Sequence, residues 1–115
     1  SQDSIVLGKS LQFAARIVKL ANTLLKKAET IISKQIIRSG TSIGANAHEA
    51  VYGVSKGDFI TKMQISLKET AETEYWLKLL VLSGYLSEPE GKSLLNDCLE
   101  IKRILVATLN TLKGK

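Results

Sequence analysis

The sequence has little of what disulfide-bonded, secreted and membrane proteins depend on. Its 115 residues include one cysteine, one proline and one histidine. A single cysteine excludes an internal disulfide and favours a reducing compartment. No apolar run approaches the ~18 to 20 residues of a membrane span, and the segment Ser1–Ser10 lacks the basic start and apolar centre of a secretory signal. These absences predict a cytoplasmic protein without a membrane partner.

Strand-forming patterns are also missing. Aromatic residues make up 5% of the chain, and there are no turn-bounded runs of β-branched and aromatic residues. The length suits one domain, and neither a repeat nor a low-complexity linker divides it. We therefore predict a single all-α domain over residues 1–115.

Apolar residues recur at helical spacing in four segments, each preceded by a turn or capping signal. Thr30 is predicted to cap the second helix, and Ser55 and Ser87 each stand three positions before an acidic residue, as in a capping box. Short turns between four helices predict an up-down-up-down four-helix bundle. The predicted helices span Leu7–Lys27, Thr30–Gly53, Lys56–Ser83 and Glu88–Lys113.

The middle of the second helix is rich in small residues. Gly40 and Gly44 each cost a helix roughly 1 kcal/mol relative to alanine. A loop is one interpretation of this stretch. Helical periodicity continues on both sides of it, which favours a helix that a neighbouring helix approaches closely.

Catalytic and metal sites find no support in the pattern. A di-iron bundle needs a Glu-x-x-His pair from each of two helices, but His48 is the one histidine and Glu49 is adjacent to it. Glu69 and Glu72 are three positions apart on one helical face. A carboxylate pair of this kind is more often neutralised by an arginine or lysine than used for acid–base chemistry. Cys98 falls on an inward stripe, and no phosphate-binding glycine loop is present. We expect neither enzyme activity nor a cofactor.

A second stripe follows the third helix, with the spacing 3, 4, 3, 4 and a mixture of charge and large apolar side chains. If the second and third helices form a hairpin that turns near Val54, Arg38 lies level with Glu69 and Glu72, and Glu49 lies near Lys62. Two charged layers are therefore predicted, with roles in helix register and assembly. The alternative is a set of surface ion pairs worth under about 1 kcal/mol each. The stripe comprises Lys62, Ile65, Glu69, Glu72 and Trp76, and the predicted layers are flanked by Gln35, Ser42 and Asn46.

The formal net charge of +5 belongs entirely to residues 1–57, which hold eight Lys or Arg against three acidic residues. On the first helix, cations recur at intervals of 7, 3 and 7, which is compatible with contact along a phosphate backbone. The alternative is a solvated helix face. Phe13 belongs to the predicted buried stripe, so aromatic interleaving for base stacking is missing, and binding of RNA or DNA would be electrostatic and weakly selective. The candidate nucleic-acid-binding residues are Lys9, Arg16, Lys19, Lys26 and Lys27.

The sequence also resembles a known family. The segment from Gln35 to Ala50, followed by Asp58-Phe59 and by Lys68-Glu69-x-x-Glu72-x-x-Tyr75-Trp76-Leu77, resembles four-helix-bundle proteins encoded within intervening sequences of bacterial 23S rRNA genes. The resemblance extends over nearly the whole chain. Ala47 and Ser66 depart from it, standing where a larger aliphatic residue and alanine are common. The family signature consists of Gln35, Arg38, Ser42, Asn46, Glu49, Glu69, Glu72 and Trp76, which we interpret as determinants of fold and assembly.

This resemblance implies a non-enzymatic homo-oligomer, with relatives that form a pentameric barrel. A distant branch, the accessory protein of diversity-generating retroelements, binds nucleic acid and works with a reverse transcriptase. Two functions are therefore expected as alternatives. One is an RNA-binding accessory protein, and the other is a protein-interaction scaffold such as an accessory subunit of a reverse transcriptase.

Overall fold

Four antiparallel helices form the molecule in a computed structural model, which describes the backbone of residues 2–113 and the side chains of residues 4–112. Each helix packs against the next along the chain, and the first also packs against the last, which closes the bundle. The prediction of an all-α four-helix bundle is confirmed, although the first helix begins earlier than Leu7. The helices are α1 (Gln2–Lys26), α2 (Ile31–Val51), α3 (Lys56–Leu82) and α4 (Glu88–Lys113).

The core is built from the inward stripe of every helix. Cys98 is fully buried within it, and burial raises the pKa of its thiol to about 12, so this cysteine fills space as predicted. The fully buried large side chains include Phe13, Ile17, Leu24, Ile36, Ile43, Met63, Leu77, Leu80, Ile101 and Leu105.

Serine caps begin α3 and α4 as predicted. Ser55 Oγ accepts a hydrogen bond from the Asp58 N–H at 3.1 Å, and Ser87 Oγ accepts one from the Glu90 N–H at 3.3 Å. Each bond satisfies one of the free amides of a first helical turn. After α3 the chain reverses at Gly84, whose φ of +84° suits a residue without a side chain.

The prediction that Thr30 caps α2 is wrong. Thr30 has φ −100° and ψ −24° and makes no side-chain cap bond, because a capping hydroxyl requires an extended backbone at its own residue. Glu29 replaces it, since its Oε1 accepts the N–H of Ile32 at 2.6 Å and of Ser33 at 3.1 Å. The preceding Ala28 has a left-handed backbone, with φ +63°.

The glycine-rich stretch of α2 is helical, and α1 approaches it closely. A Cβ on Gly40 would lie 2.8 Å from Ile17 Cγ2, and one on Gly44 would lie 3.1 Å from Ser10 Oγ. The helix interpretation is therefore confirmed. The glycines let the two backbones approach, at the expense of intrinsic helix propensity.

Hydroxyl groups join α2 to α3 on its other side. Ser66 Oγ donates to the Ile43 carbonyl oxygen at 2.7 Å, and Thr73 Oγ1 lies 2.9 Å from Ser39 Oγ. Each of these residues is buried, so small polar side chains here satisfy one another. Small residues thus draw α1, α2 and α3 together and fix the register of the charged residues on the α2/α3 surface.

Candidate functional site

Arg38 joins two carboxylates of α3 across the α2/α3 surface. Its Nη1 lies 3.3 Å from each carboxylate oxygen of Glu69, and its Nη2 donates to Glu72. Trp76 Nε1 donates to the same Glu72 oxygen at 3.0 Å. The predicted contact between Arg38 and both glutamates is present. We call Arg38, Glu69, Glu72 and Trp76 the polar layer.

The members of the polar layer differ in their exposure to solvent. The Glu69 side chain is 11% exposed and that of Arg38 is 47% exposed. Hydrogen bonds from Arg38 and then from Trp76 lower the pKa of Glu72, and the same Glu72 contact is the main cause of the raised pKa of Arg38. With two carboxylates for one guanidinium, the layer has an excess of negative charge.

The second predicted pair lies nearer the α2–α3 turn. Lys62 Nζ is 2.9 Å from Glu49 Oε1, and this contact lowers the pKa of Glu49. The polar residues predicted to flank the layers turn back to their own helix. Ser42 Oγ donates to the Arg38 carbonyl oxygen at 2.6 Å, and Asn46 Nδ2 donates to the Ser42 carbonyl oxygen at 2.8 Å. Gln35 is half-buried on the same stripe.

A third charged cluster was missed by sequence reasoning. Glu74 lies between Lys78 of its own helix at 2.9 Å and Lys102 of α4 at 3.3 Å. Lys78 is the main cause of the lowered pKa of Glu74. The spacing of four residues between Glu74 and Lys78 was a visible signal, but nothing in the sequence indicated Lys102.

The basic stripe of α1 does not form one continuous cationic surface. Lys9 Nζ lies 3.1 Å from Glu100 Oε2, and Arg16 Nη1 lies 2.6 Å from Asp97 Oδ2. Both partners lie on α4, so these two cations join α1 to α4. The remaining members, Lys19, Lys26 and Lys27, are exposed.

These three lysines have no acidic partner among the described residues. Within the described part of the chain, no carboxylate comes within ion-pair distance of any of them. Lys27 Nζ donates at 3.2 Å to the carbonyl oxygen of Tyr85, which lies in the α3–α4 turn. We call Lys19, Lys26 and Lys27 the cationic end of α1.

A pocket of about 370 Å³ opens beside the cationic end. Three cations, Arg16, Lys19 and Lys27, contribute to its wall, and Glu90 is the one carboxylate there. The rest of the lining comes from α1, the α3–α4 turn and α4, namely Leu20, Thr23, Tyr85, Leu86, Ser87 and Leu94.

The outer face of α1 is apolar and uncovered. Leu11, Val18 and Leu25 recur every seven residues and are 71%, 39% and 51% exposed. Leu11 borders a groove of about 750 Å³ between α1 and α2, to which Ala14 and Ala45 also contribute. Exposed apolar side chains in a row on one helix are typical of an interaction surface. We call Leu11, Val18 and Leu25 the apolar stripe of α1.

The other candidates for chemistry lie apart. His48 is exposed, and its ring centroid is 5.2 Å from that of Tyr52. Among residues 4–112, no group of three or more His, Cys, Asp or Glu side chains is arranged to hold a metal ion. None of the helices, over their described residues, combines the length and hydropathy needed to cross a membrane.

The fold and its surface define a small helical-bundle protein whose helices are joined by ionic layers. The family model of the 23S rRNA-intervening sequence protein matches residues 2–107. The chain therefore belongs to the 23S rRNA-intervening sequence protein family, in agreement with the sequence resemblance.

A crystal structure supports the same assignment. It is of a protein of unknown function from the S23 ribosomal protein family of Bacteroides thetaiotaomicron. It superposes with a TM-score of 0.94 at 47% identity, over 96% of this chain and 99% of that one. A search of curated proteins gives no match.

Proposed function

We propose that this protein is a non-enzymatic, homo-oligomeric accessory protein that binds RNA in the cytoplasm. One observation carries the proposal. The cationic end of α1 has no neutralising carboxylate among the described residues, whereas Lys9 and Arg16 are paired with Glu100 and Asp97. Unpaired surface lysines release counterions from a phosphate backbone when they bind it.

The cationic end binds by charge and not by reading bases. Ammonium groups contact phosphates as point charges, without directional recognition of a base edge. Affinity from one subunit is therefore modest, and repetition of the surface in an oligomer increases it through effective concentration. Strong salt dependence with little sequence preference is the expected behaviour.

Self-association has two candidate surfaces on each subunit. The polar layer offers an excess carboxylate beside the half-buried Trp76, and the apolar stripe of α1 offers Leu11, Val18 and Leu25. Contacts between unlike surfaces generate closed rings when the rotation closes. Such a ring agrees with the pentameric barrel implied by the resemblance.

Sedimentation of the wild-type protein and of Arg38→Met tests the assembly. We expect an oligomer for the wild-type protein and a smaller species for Arg38→Met, because the substitution leaves Glu69 and Glu72 unpaired at the polar layer. Lys34→Met is the control, since Lys34 is exposed on the same helix and has no ion pair among the described residues. A monomeric wild-type protein would contradict the assembly.

Titration of a fluorescently labelled single-stranded RNA at two salt concentrations tests RNA binding. We expect binding at low salt that weakens steeply at high salt, and its loss when Lys19, Lys26 and Lys27 are all replaced by glutamate. A wild-type protein that fails to bind at low salt, or binds equally at both concentrations, contradicts the proposal. A labelled DNA of the same sequence shows whether the 2′-hydroxyl contributes.

A protein-interaction scaffold is the second candidate, and the apolar stripe of α1 favours it. A helix face with Leu11 at 71% exposure can dock a partner polypeptide such as a reverse transcriptase. The triple glutamate variant separates the two functions. A scaffold keeps its polypeptide partner in that variant, whereas RNA binding is lost. Replacing Leu11 and Leu25 by serine has the opposite effect.

A further inference from the structure

The pocket beside the cationic end of α1 combines charge with an apolar floor. Lys19 and Lys27 supply positive charge, and Leu20, Leu86 and Leu94 supply apolar surface from α1 and α4 and the turn before α4. Tyr85 also lines the pocket. We propose that this pocket binds one nucleotide of a bound RNA strand, with its phosphate at Lys19 and Lys27 and its base against Tyr85 and the leucines.

The cations of the pocket are not equivalent. Arg16 already donates to Asp97, so its charge is largely neutralised by an ion pair within the protein. Lys27 is held at the pocket by its bond to the Tyr85 carbonyl oxygen, and an ammonium group has two further donors after that bond. Lys19 makes no ion pair within the described residues. Lys19 and Lys27 are therefore the groups available to a phosphate.

Hydroxyl groups add one donor and further acceptors. Ser87 Oγ accepts the Glu90 N–H, and that bond does not use the hydrogen of the hydroxyl. Thr23 donates to the Lys19 carbonyl oxygen, so its oxygen lone pairs stay available as acceptors. Glu90 opposes a phosphate but accepts hydrogen bonds from a ribose hydroxyl or a base amine. With Arg16 paired to Asp97, two lysines still face this one carboxylate in the lining.

The size of the pocket matches this ligand. Its volume of about 370 Å³ falls at the lower end of the range of small-molecule sites. That volume exceeds the needs of a lone phosphate ion and accommodates a base beside it. Aromatic side chains bind single-stranded nucleic acid by stacking on bases, largely without sequence preference. The α3–α4 turn thus supplies an accessible aromatic side chain, which α1 lacks because its Phe13 is buried in the core.

The inference rests on the proposed RNA-binding function, but it is tested separately with adenosine monophosphate, inorganic phosphate and an RNA oligonucleotide at low salt. Isothermal titration measures the binding of each ligand to the 115-residue chain. We expect adenosine monophosphate to bind more tightly than inorganic phosphate. The double variant Lys19→Gln/Lys27→Gln should lower the affinity for adenosine monophosphate by about tenfold or more. The control Lys34→Gln, at an exposed position of α2, should leave that affinity unchanged.

Variants of Tyr85 test the base contact. Tyr85→Leu should lower the affinity for adenosine monophosphate by about fivefold or more without changing the affinity for inorganic phosphate. Tyr85→Phe should retain the affinity for adenosine monophosphate. Thermal melts check that each variant folds. If RNA binds and adenosine monophosphate does not, or if the Lys19/Lys27 double variant binds it normally, the pocket assignment is wrong while RNA binding stands. If adenosine monophosphate binds and RNA does not, the RNA-binding function is wrong, and the pocket is a site for a free nucleotide instead of one nucleotide of a bound strand.

Discussion

Gly40 of α2 lies against Ile17 of α1 so closely that a Cβ on Gly40 would stand 2.8 Å from Ile17 Cγ2. A real Cβ at that distance forces the Ile17 side chain or one of the two helices to move. We therefore expect Gly40→Ala to lower the free energy of unfolding by about 1–3 kcal/mol, although alanine is the better helix former by about 1 kcal/mol. Urea unfolding followed by circular dichroism measures the change.

Gly8 is the matched control for this prediction. It is also helical, but a Cβ there would meet nothing within 4 Å. Gly8→Ala should raise the free energy of unfolding by up to about 1 kcal/mol. If Gly40→Ala were stabilising as well, the close approach of α1 and α2 would be wrong.

Ala28 has a left-handed backbone that glycine adopts without steric cost. Its φ is +63°, and Glu29 N–H bonds to the Leu24 carbonyl oxygen at 2.8 Å as the chain leaves α1. Ala28→Gly should raise the free energy of unfolding by about 0.5–1 kcal/mol, after the entropy of the glycine is counted. Ala15→Gly, at an exposed position within α1, should lower it by about 1 kcal/mol. A loss of stability in both variants would contradict the left-handed turn.

Glu29, and not Thr30, caps the first turn of α2. Glu29→Ala removes two hydrogen bonds to backbone amides and should lower the free energy of unfolding by about 1 kcal/mol. Thr30→Ala should change it by less than about 0.5 kcal/mol, because the Thr30 side chain makes no cap bond. Equilibrium unfolding of the two variants decides the matter, and the reverse order would restore Thr30 as the cap.

Arg38→Met should lower the free energy of unfolding at pH 7 by about 1–3 kcal/mol, because it leaves the largely buried Glu69 without its partner. The effect depends on pH. The pKa of Glu72 is lowered in the folded state, mainly by Arg38. The stability that this ion pair contributes is therefore fully present above the unfolded-state pKa of about 4.3. It is lost as the pH falls through the lower pKa of the folded state.

The difference in the free energy of unfolding between the wild-type protein and Arg38→Met should therefore shrink as the pH falls below about 4. Urea midpoints at pH 7, 5 and 3 measure it. Lys34→Met should behave like the wild-type protein throughout. A difference that stays constant over this range would show that Arg38 stabilises the bundle by packing alone.

Local signals in the sequence predicted much of the fold. Ser55 and Ser87 form their caps, and distance from the α2–α3 turn was enough to place Arg38 beside Glu69 and Glu72. Both cases depend on short-range spacing or on a hairpin with one short turn. The cap prediction for Thr30 failed because the Thr30 backbone is not extended, and Glu29, which follows the left-handed Ala28, caps α2 in its place.

Contacts between α1 and α4 were beyond such reasoning. Arg16 and Asp97 are 81 residues apart, and no hairpin relates their positions. The basic stripe therefore looked continuous in the sequence, whereas α4 supplies carboxylates for its first half. The pocket was missed for the same reason, since Tyr85 reaches the cationic end only when α4 returns beside α1.

The most direct measurement of the central claim is the salt dependence of RNA affinity for matched variants of α1. Replacing Lys19, Lys26 and Lys27 by glutamine should reduce the slope of log affinity against log salt by about 1.4 for each bound subunit, since Lys19 and Lys27 share one phosphate, Lys26 contacts a second, and each phosphate contact on a single strand contributes about 0.7. The variant Lys9→Gln/Glu100→Gln removes a paired cation together with its partner and should leave the slope unchanged. An equal reduction in both variants, or none in the triple variant, would contradict RNA binding through the cationic end of α1.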